Sequence, residues 1–269
     1  MDRQQLLDLL KFYEHTGYDE AVSETVQNRF NTSKGVPASA ARVEKAEPAQ
    51  TKPSELMTTT GTNTGSTLEE ARALARDATS LDDLKAALAA FDGCELKHSA
   101  RQMVFSDGNP QADIMLIGEA PGREEDKLGL PFVGRSGQLL DRMLAAIGLD
   151  RTGVYIGNCI YWRPPGNRTP TPAERALCEP FIRRQIELAN PKIIMTLGGS
   201  SLAALFGLNG IMKLRGKRLE YEHEGLKIPA IPTLHPAALL RNPLNKRLSW
   251  QDLLALQMLR EELGLIHAD

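Results

Sequence analysis

The sequence predicts an α/β fold with three layers, α/β/α, around a central, mainly parallel four-stranded sheet. Four short apolar runs rich in β-formers appear beyond residue 100: ADIMLIG (112–118), GVYIGN (153–158), KIIMTLG (192–198) and LKIPAIPTL (226–234). Segments of helical spacing stand between and after them, namely GQLLDRMLAAIG, TPAERALCEPFIRRQIELA, SSLAALFG and SWQDLLALQMLREELG. Alternation of this kind implies parallel strands with helices on both faces. The apolar content of 42% over 269 residues is ordinary for a globular core.

The N-terminal part reads differently. Residues 1–30 have the spacing of one or two short amphipathic helices, QQLLDLLKFYEHTG and YDEAVSETVQNRF. Residues 31–66 are rich in Ser, Thr, Pro, Ala and Lys, too poor in apolar surface to offset their ordering entropy, and read as a flexible linker. Helical periodicity resumes with STLEEARALARDATSLDDLKAALAAF, where Ser66 or Thr67 and Ser80 are the expected N-caps. Residues 67–269 are therefore taken as one folded domain.

Charge and composition exclude several classes. No apolar run of about 18 residues is present, so no transmembrane helix is expected. The acidic, interrupted start does not suit a signal peptide. Three cysteines without regular spacing do not make a secreted disulfide framework. A cytoplasmic protein is the expectation. The net charge of −2 hides an asymmetry, because residues 151–250 alone carry +9. That excess suits a phosphate-facing surface, and a merely solvated basic face explains it equally well.

In open parallel sheets ligands sit beyond the carboxyl ends of the strands, so the loops there are the candidates. After the first strand, Gly118, Pro121 and Gly122 make a tight turn with backbone donors, beside Glu119, Glu124, Glu125 and Asp126. The acidic cluster also fits a helix first turn, and the spacing matches neither a dinucleotide fingerprint nor a Walker loop. Asn158 ends the second strand; its amide is a turn residue or a reader of a pyrimidine edge. The stiff basic loop RPPGNRTPTP follows, with Arg163 and Arg168. Ser200 opens a helix after the third strand, an anion-site arrangement. After the fourth, TLHPAALLRNP (233–243) reads as a loop holding His235, Leu239, Leu240 and Arg241.

With these residues in view, the chain resembles the uracil-DNA glycosylase superfamily, and within it family 4, from about Asp92 to Gly264. The pieces are GEAPGREED, PFVGRSGQLLDRML, VYIGN, RPPGNRTPTP, KLRGK and LHPAALLRNP, in that order. The resemblance implies catalytic roles for Glu119, His235 and Glu125. It implies a substrate pocket of Gly118, Ala120, Pro121, Gly122, Phe132 and Asn158, where Phe132 stacks on a flipped base and Asn158 reads its edge. Ala120 stands where the best-known branch has a water-orienting aspartate, which leaves Glu119, then Glu125, to position the water. Arg163, Arg168, Ser200, Lys213, Arg215 and Arg241 would contact DNA, with Leu239 or Leu240 as the wedge that fills the vacated stack.

One feature departs from the family. Its four-cysteine iron–sulfur cluster would use positions 91, 94, 162 and 178, which here hold Phe91, Cys94, Trp162 and Cys178. No cofactor and no metal are therefore expected, the two aromatics filling the cluster's space; a metal held by Cys94, Cys178 and His98 is the competing arrangement. The implied function is monofunctional hydrolysis of deoxyuridine in single- or double-stranded DNA, releasing uracil and leaving an abasic site, by a monomer with no membrane role. A glycosylase of broader base range and a non-catalytic DNA-binding member remain alternatives. The joint presence of Glu119, Phe132, Asn158 and His235 disfavours the second.

Overall fold

The computed structural model describes residues 64–266. The helices expected within 1–30 and most of the 31–66 linker lie outside them.

Two helices open the described region: α1 (Thr64–Asp77) and α2 (Leu81–Ala90). Ser80 caps α2 as expected, its hydroxyl accepting the Asp83 N–H at 3.1 Å. Ser66 and Thr67 do not cap α1, because the helix already includes them. After α3 (Leu96–Ser99) come β1 (Asp107–Gly108), β2 (Ile114–Gly118), α4 (Arg123–Leu128), α5 (Arg135–Ala145) and β3 (Tyr155–Asn158). The second half contains α6 (Pro172–Ala189), β4 (Ile193–Leu197), α7 (Gly199–Phe206), α8 (Ile211–Leu214), β5 (Leu219–His223), β6 (Leu226–Thr233), α9 (Pro236–Arg241) and α10 (Lys246–Glu262).

The sheet has six strands in the order β1-β3-β2-β4-β6-β5. Its four inner strands pair in parallel and are the four read from the sequence. The two edges, β1 on β3 and β5 on β6, pair antiparallel and were not anticipated. Each inner strand is apolar on consecutive positions because both of its faces are covered. Along β2, Met115 and Ile117 enter one apolar cluster with α1, α2 and α6, while Ile114 and Leu116 enter another with α5, α9 and α10. That split is the three-layer architecture.

One correction concerns the 233–243 stretch. It is not a loop: Pro236 starts a short helix in which the Asn242 N–H reaches back to the Ala238 carbonyl at 2.9 Å. Proline is pre-set for a first helical turn.

A pocket at the strand ends and the family it identifies

The parallel register aligns the ends of the inner strands: Gly118 lies opposite Asn158, and Leu197 opposite Thr233. The residues just past these ends line a cavity of about 510 Å³, among them Glu119, Glu125, Phe132, Asn158, Ser200 and His235. Two glycines make the close approaches possible. A Cβ on Gly118 would stand 2.4 Å from Asn158 Oδ1 and 2.6 Å from the Phe132 ring. Gly198, at φ +101°, would set one 2.9 Å from the His235 Cβ.

His235 is the N-cap of α9, and its Nδ1 accepts the Ala237 N–H at 3.1 Å. A ring whose Nδ1 accepts carries its proton on Nε2, so the free nitrogen is a donor. Burial, reinforced by the Arg241 charge and opposed by Glu125, pushes its pKa down to about 4. The imidazole is neutral at pH 7. The Phe132 ring lies 5.6 Å from it, centroid to centroid, at 30°. Phe132 itself is held at φ +54°, and its carbonyl, like that of Pro131, accepts from Arg151, which is tied in turn to Asp107 and Asp141. Arg151 had no signal in the sequence, because its partners are scattered along the chain.

The two glutamates separate. Glu125 Oε1 accepts the Val133 and Gly134 N–H groups at 3.0 and 2.9 Å, and Oε2 accepts that of Gly122 at 3.1 Å. Its carboxylate is consumed in clamping the loop that carries Phe132, which removes it from the candidates for holding water. Glu119 Oε1 and Asn158 Oδ1 are buried without a hydrogen-bond partner. A buried acceptor left unpaired costs about 1–3 kcal/mol, a cost expected where a ligand supplies the missing donor.

The remaining predicted residues divide as well. Ala120, Pro121, Gly122, Arg168, Ser200 and Arg241 line the cavity, whereas Gly118 does not line it and lies close against Asn158 and Phe132. Arg168 meets Glu174 through both oxygens, at 2.8 and 2.5 Å, and holds that carboxyl down to about 2. Arg163 does not line the cavity; it donates to Asn167 Oδ1 at 2.6 Å and lies 3.9 Å from Asp126, stapling its own loop. Lys213 is exposed in an adjoining groove that shares Gly199, Ser200 and Ile211 with the pocket.

Two assignments are corrected. Arg215 is no DNA contact: it forms a 2.7 Å ion pair with fully buried Asp252, which also accepts from Thr233 Oγ1 at 2.7 Å. That network locks the end of β6 in front of His235. Leu239 is no wedge, since it is fully buried among the apolar residues between α9 and α10. Leu240, beside it, is only partly buried. The sequence reading missed Ser136, Ile211 and Leu234 in the cavity wall; Ser136 and Leu234 stand inside the pieces PFVGRSGQLLDRML and LHPAALLRNP, while Ile211 lies outside every such piece.

The profile of the uracil DNA glycosylase superfamily matches residues 105–254. The chain belongs to this superfamily. It is 41% identical over 179 residues to the Type-4 uracil-DNA glycosylase of Sulfurisphaera tokodaii, covering 64% of this chain and 81% of that one. The Type-4 enzyme of Archaeoglobus fulgidus is 42% identical, covering 61% of this chain and 85% of its own. That of Thermotoga maritima is 45% identical, covering 57% and 79%. The superfamily match spans β2 to α10 and thus every strand end of the pocket.

Phe91, Cys94, Trp162 and Cys178 are all buried in the apolar cluster on the α1–α2–α6 face. The Phe91 ring lies 5.4 Å from that of Phe181, and Trp162 meets Tyr161 edge-on at 6.3 Å. Cys94 and Cys178 are free thiols in contact with each other, and the hydrogen bond with Cys94, together with burial, holds the Cys178 thiol well above its usual range. His98 is exposed and does not join them. Among the described residues no three His, Cys, Asp or Glu side chains converge as a metal site. Nor is any described helix long and apolar enough to cross a membrane.

Proposed function

We propose that the chain is a monofunctional uracil-DNA glycosylase that takes deoxyuridine out of the DNA stack and hydrolyses its N-glycosidic bond. The observation that carries this reading is the pairing, in one small pocket, of a neutral histidine with a free Nε2–H and an asparagine whose amide oxygen is buried and unfilled. Uracil presents a matching edge: the N3–H donor suits Asn158 Oδ1, and O2 suits the His235 donor. Phe132 stacks on the ring, at the cost of its own strained backbone.

In the reaction the C1′–N1 bond breaks and its electron pair leaves with the uracil, with charge gathering on O2. The His235 Nε2–H meets that charge without transferring its proton, and a fixed donor of this kind contributes about 3–4 kcal/mol to the transition state. Water bonds to C1′ and its proton is taken at Glu119, whose Oε1 is unengaged. Arg241, Arg168 and Ser200 at the mouth suit phosphate contacts, with Lys213 beside them. The protein acts on DNA as a cytoplasmic monomer.

We also infer that it works without the iron–sulfur cluster. The donor set does not fit one: two thiols are present where four thiolates are wanted, and Phe91 and Trp162 stand packed where the other two would be. No catalytic step is routed through a cluster.

The test is uracil release from a labelled single-uracil oligonucleotide by the full chain, with iron content and visible absorption recorded on the same sample. Release by colourless, iron-free protein is expected. Absence of release from every uracil substrate would overturn the glycosylase, and iron-bearing protein would overturn the packed core.

A further inference from the structure

We propose that Leu244, rather than Leu239 or Leu240, is the side chain that enters the DNA stack when the target nucleotide leaves it. This rests on the glycosylase reading and adds the identity of the wedge. A wedge must present apolar surface to solvent before DNA arrives. Leu239 has none, and Leu240 packs against the cluster between α9 and α10. Leu244 is 76% exposed, more than any other large hydrophobic residue among the described ones.

Its place in the fold supports the role. Leu244 sits in the one-turn helix Pro243–Asn245, directly after α9. That helix starts beside His235 and ends at Arg241, which lines the mouth of the pocket. The turn is stiff: Pro243 fixes one dihedral, the Asn245 N–H bonds the Asn242 carbonyl at 3.1 Å, and Lys246 behind it is buried. A rigid turn loses little conformational freedom on insertion, which a wedge on a floppy loop would not escape. Exposed Arg241 and Arg247 flank it and suit the phosphates on either side of an opened step. A single exposed leucine is by itself ordinary. An exposed leucine on a stiff turn, between basic residues and just beyond pocket-lining Arg241 in the chain, is the geometry of apolar side chains that replace a lost base.

Uracil release under single-turnover conditions is measured on one sequence as a single strand and as a duplex, for the parent chain, Leu244→Ala and Leu240→Ala. Only the duplex has a stack to fill. The duplex-to-single-strand rate ratio is expected to fall about tenfold in Leu244→Ala, the scale of one base-stacking contact, and by much less in Leu240→Ala. An unchanged ratio in Leu244→Ala, or an equal fall in Leu240→Ala, overturns the proposal. Leu244→Trp supplies a second readout: its added emission is expected to be quenched by a uracil-containing duplex more than by the same duplex carrying thymine. Equal quenching would put the turn on the DNA surface without insertion and would overturn the wedge. A parent chain that releases uracil from neither the single strand nor the duplex would instead overturn the glycosylase reading itself.

Discussion

The pocket at the strand ends and the aromatic cluster around Phe91 and Trp162 are both buried, yet they are built on opposite terms. In the cluster Phe91 packs on Phe181 and Trp162 on Tyr161, and the Cys94 and Cys178 thiols meet each other. In the pocket a carboxylate oxygen and an amide oxygen are buried with nothing to bond, and a phenylalanine is held at positive φ. The first region is what a chain does to be stable. The second keeps unfilled capacity that only a ligand can use. Their difference separates residues whose loss unfolds the protein from residues whose loss silences it.

The sharpest way to test that division is to damage each region and read stability and turnover together. Trp162→Ala is expected to cost about 3–5 kcal/mol of stability, seen as a lower midpoint in denaturant, with single-turnover rate per folded molecule nearly retained. His235→Ala is expected to do the reverse, with about a hundredfold loss of single-turnover rate and an unchanged midpoint, from one lost transition-state donor. Between these lies the glutamate pair. Glu125→Gln loses acceptor strength toward three backbone N–H groups and should cost about 1–3 kcal/mol of stability, whereas Glu119→Gln should leave the midpoint alone and slow the chemistry. If both glutamate variants behave alike, the assignment of clamp and water-holder fails.

The smallest effect is in pH. The folded chain protonates His235 only near pH 4, while the unfolded chain does so near 6.5. Between those values the unfolded state binds more protons, so this group's contribution to stability is full above 6.5 and declines as pH falls toward 4. The same shift predicts no break in kcat/KM near pH 6.5 from this histidine, only an acid limb closer to 4. A profile that bends at 6.5 would mean that the ring is not buried as described.

The four inner strands were legible because strands covered on both faces carry runs of buried residues, unbroken in β2, β3 and β4 and continuous in β6 from Ala230 onward. The edges were not. β1 is two residues long, and β5, LEYEH, hides a two-residue alternation with buried Tyr221 among charges. Its hairpin signal was present all the same, for Glu224 and Gly225 take φ +47° and +83° in the turn to β6. The short helices α4, α8 and α9 are too brief to show a period. In the site, Glu119, Asn158 and His235 were legible as residues at strand ends. The choice between Leu239 and Leu240 was not, because adjacent helical positions face different ways and only packing against α10 decides which is buried. Arg215 and Arg151 read as surface charge until Asp252, Asp107 and Asp141 arrive from distant sequence.

The backbone of Phe132 has a consequence for anyone who tries to improve this protein. A bulky residue at φ +54° is strained by about 1 kcal/mol or more, and glycine or asparagine would sit there at ease. The ring is nonetheless buried in the cluster shared with α5, α9 and α10, and removing it would forfeit about 3–5 kcal/mol, more than the strain it relieves. A selection for thermal resistance alone would therefore keep Phe132, strain included, so a library built on this chain can be sorted for sturdiness first without losing that residue.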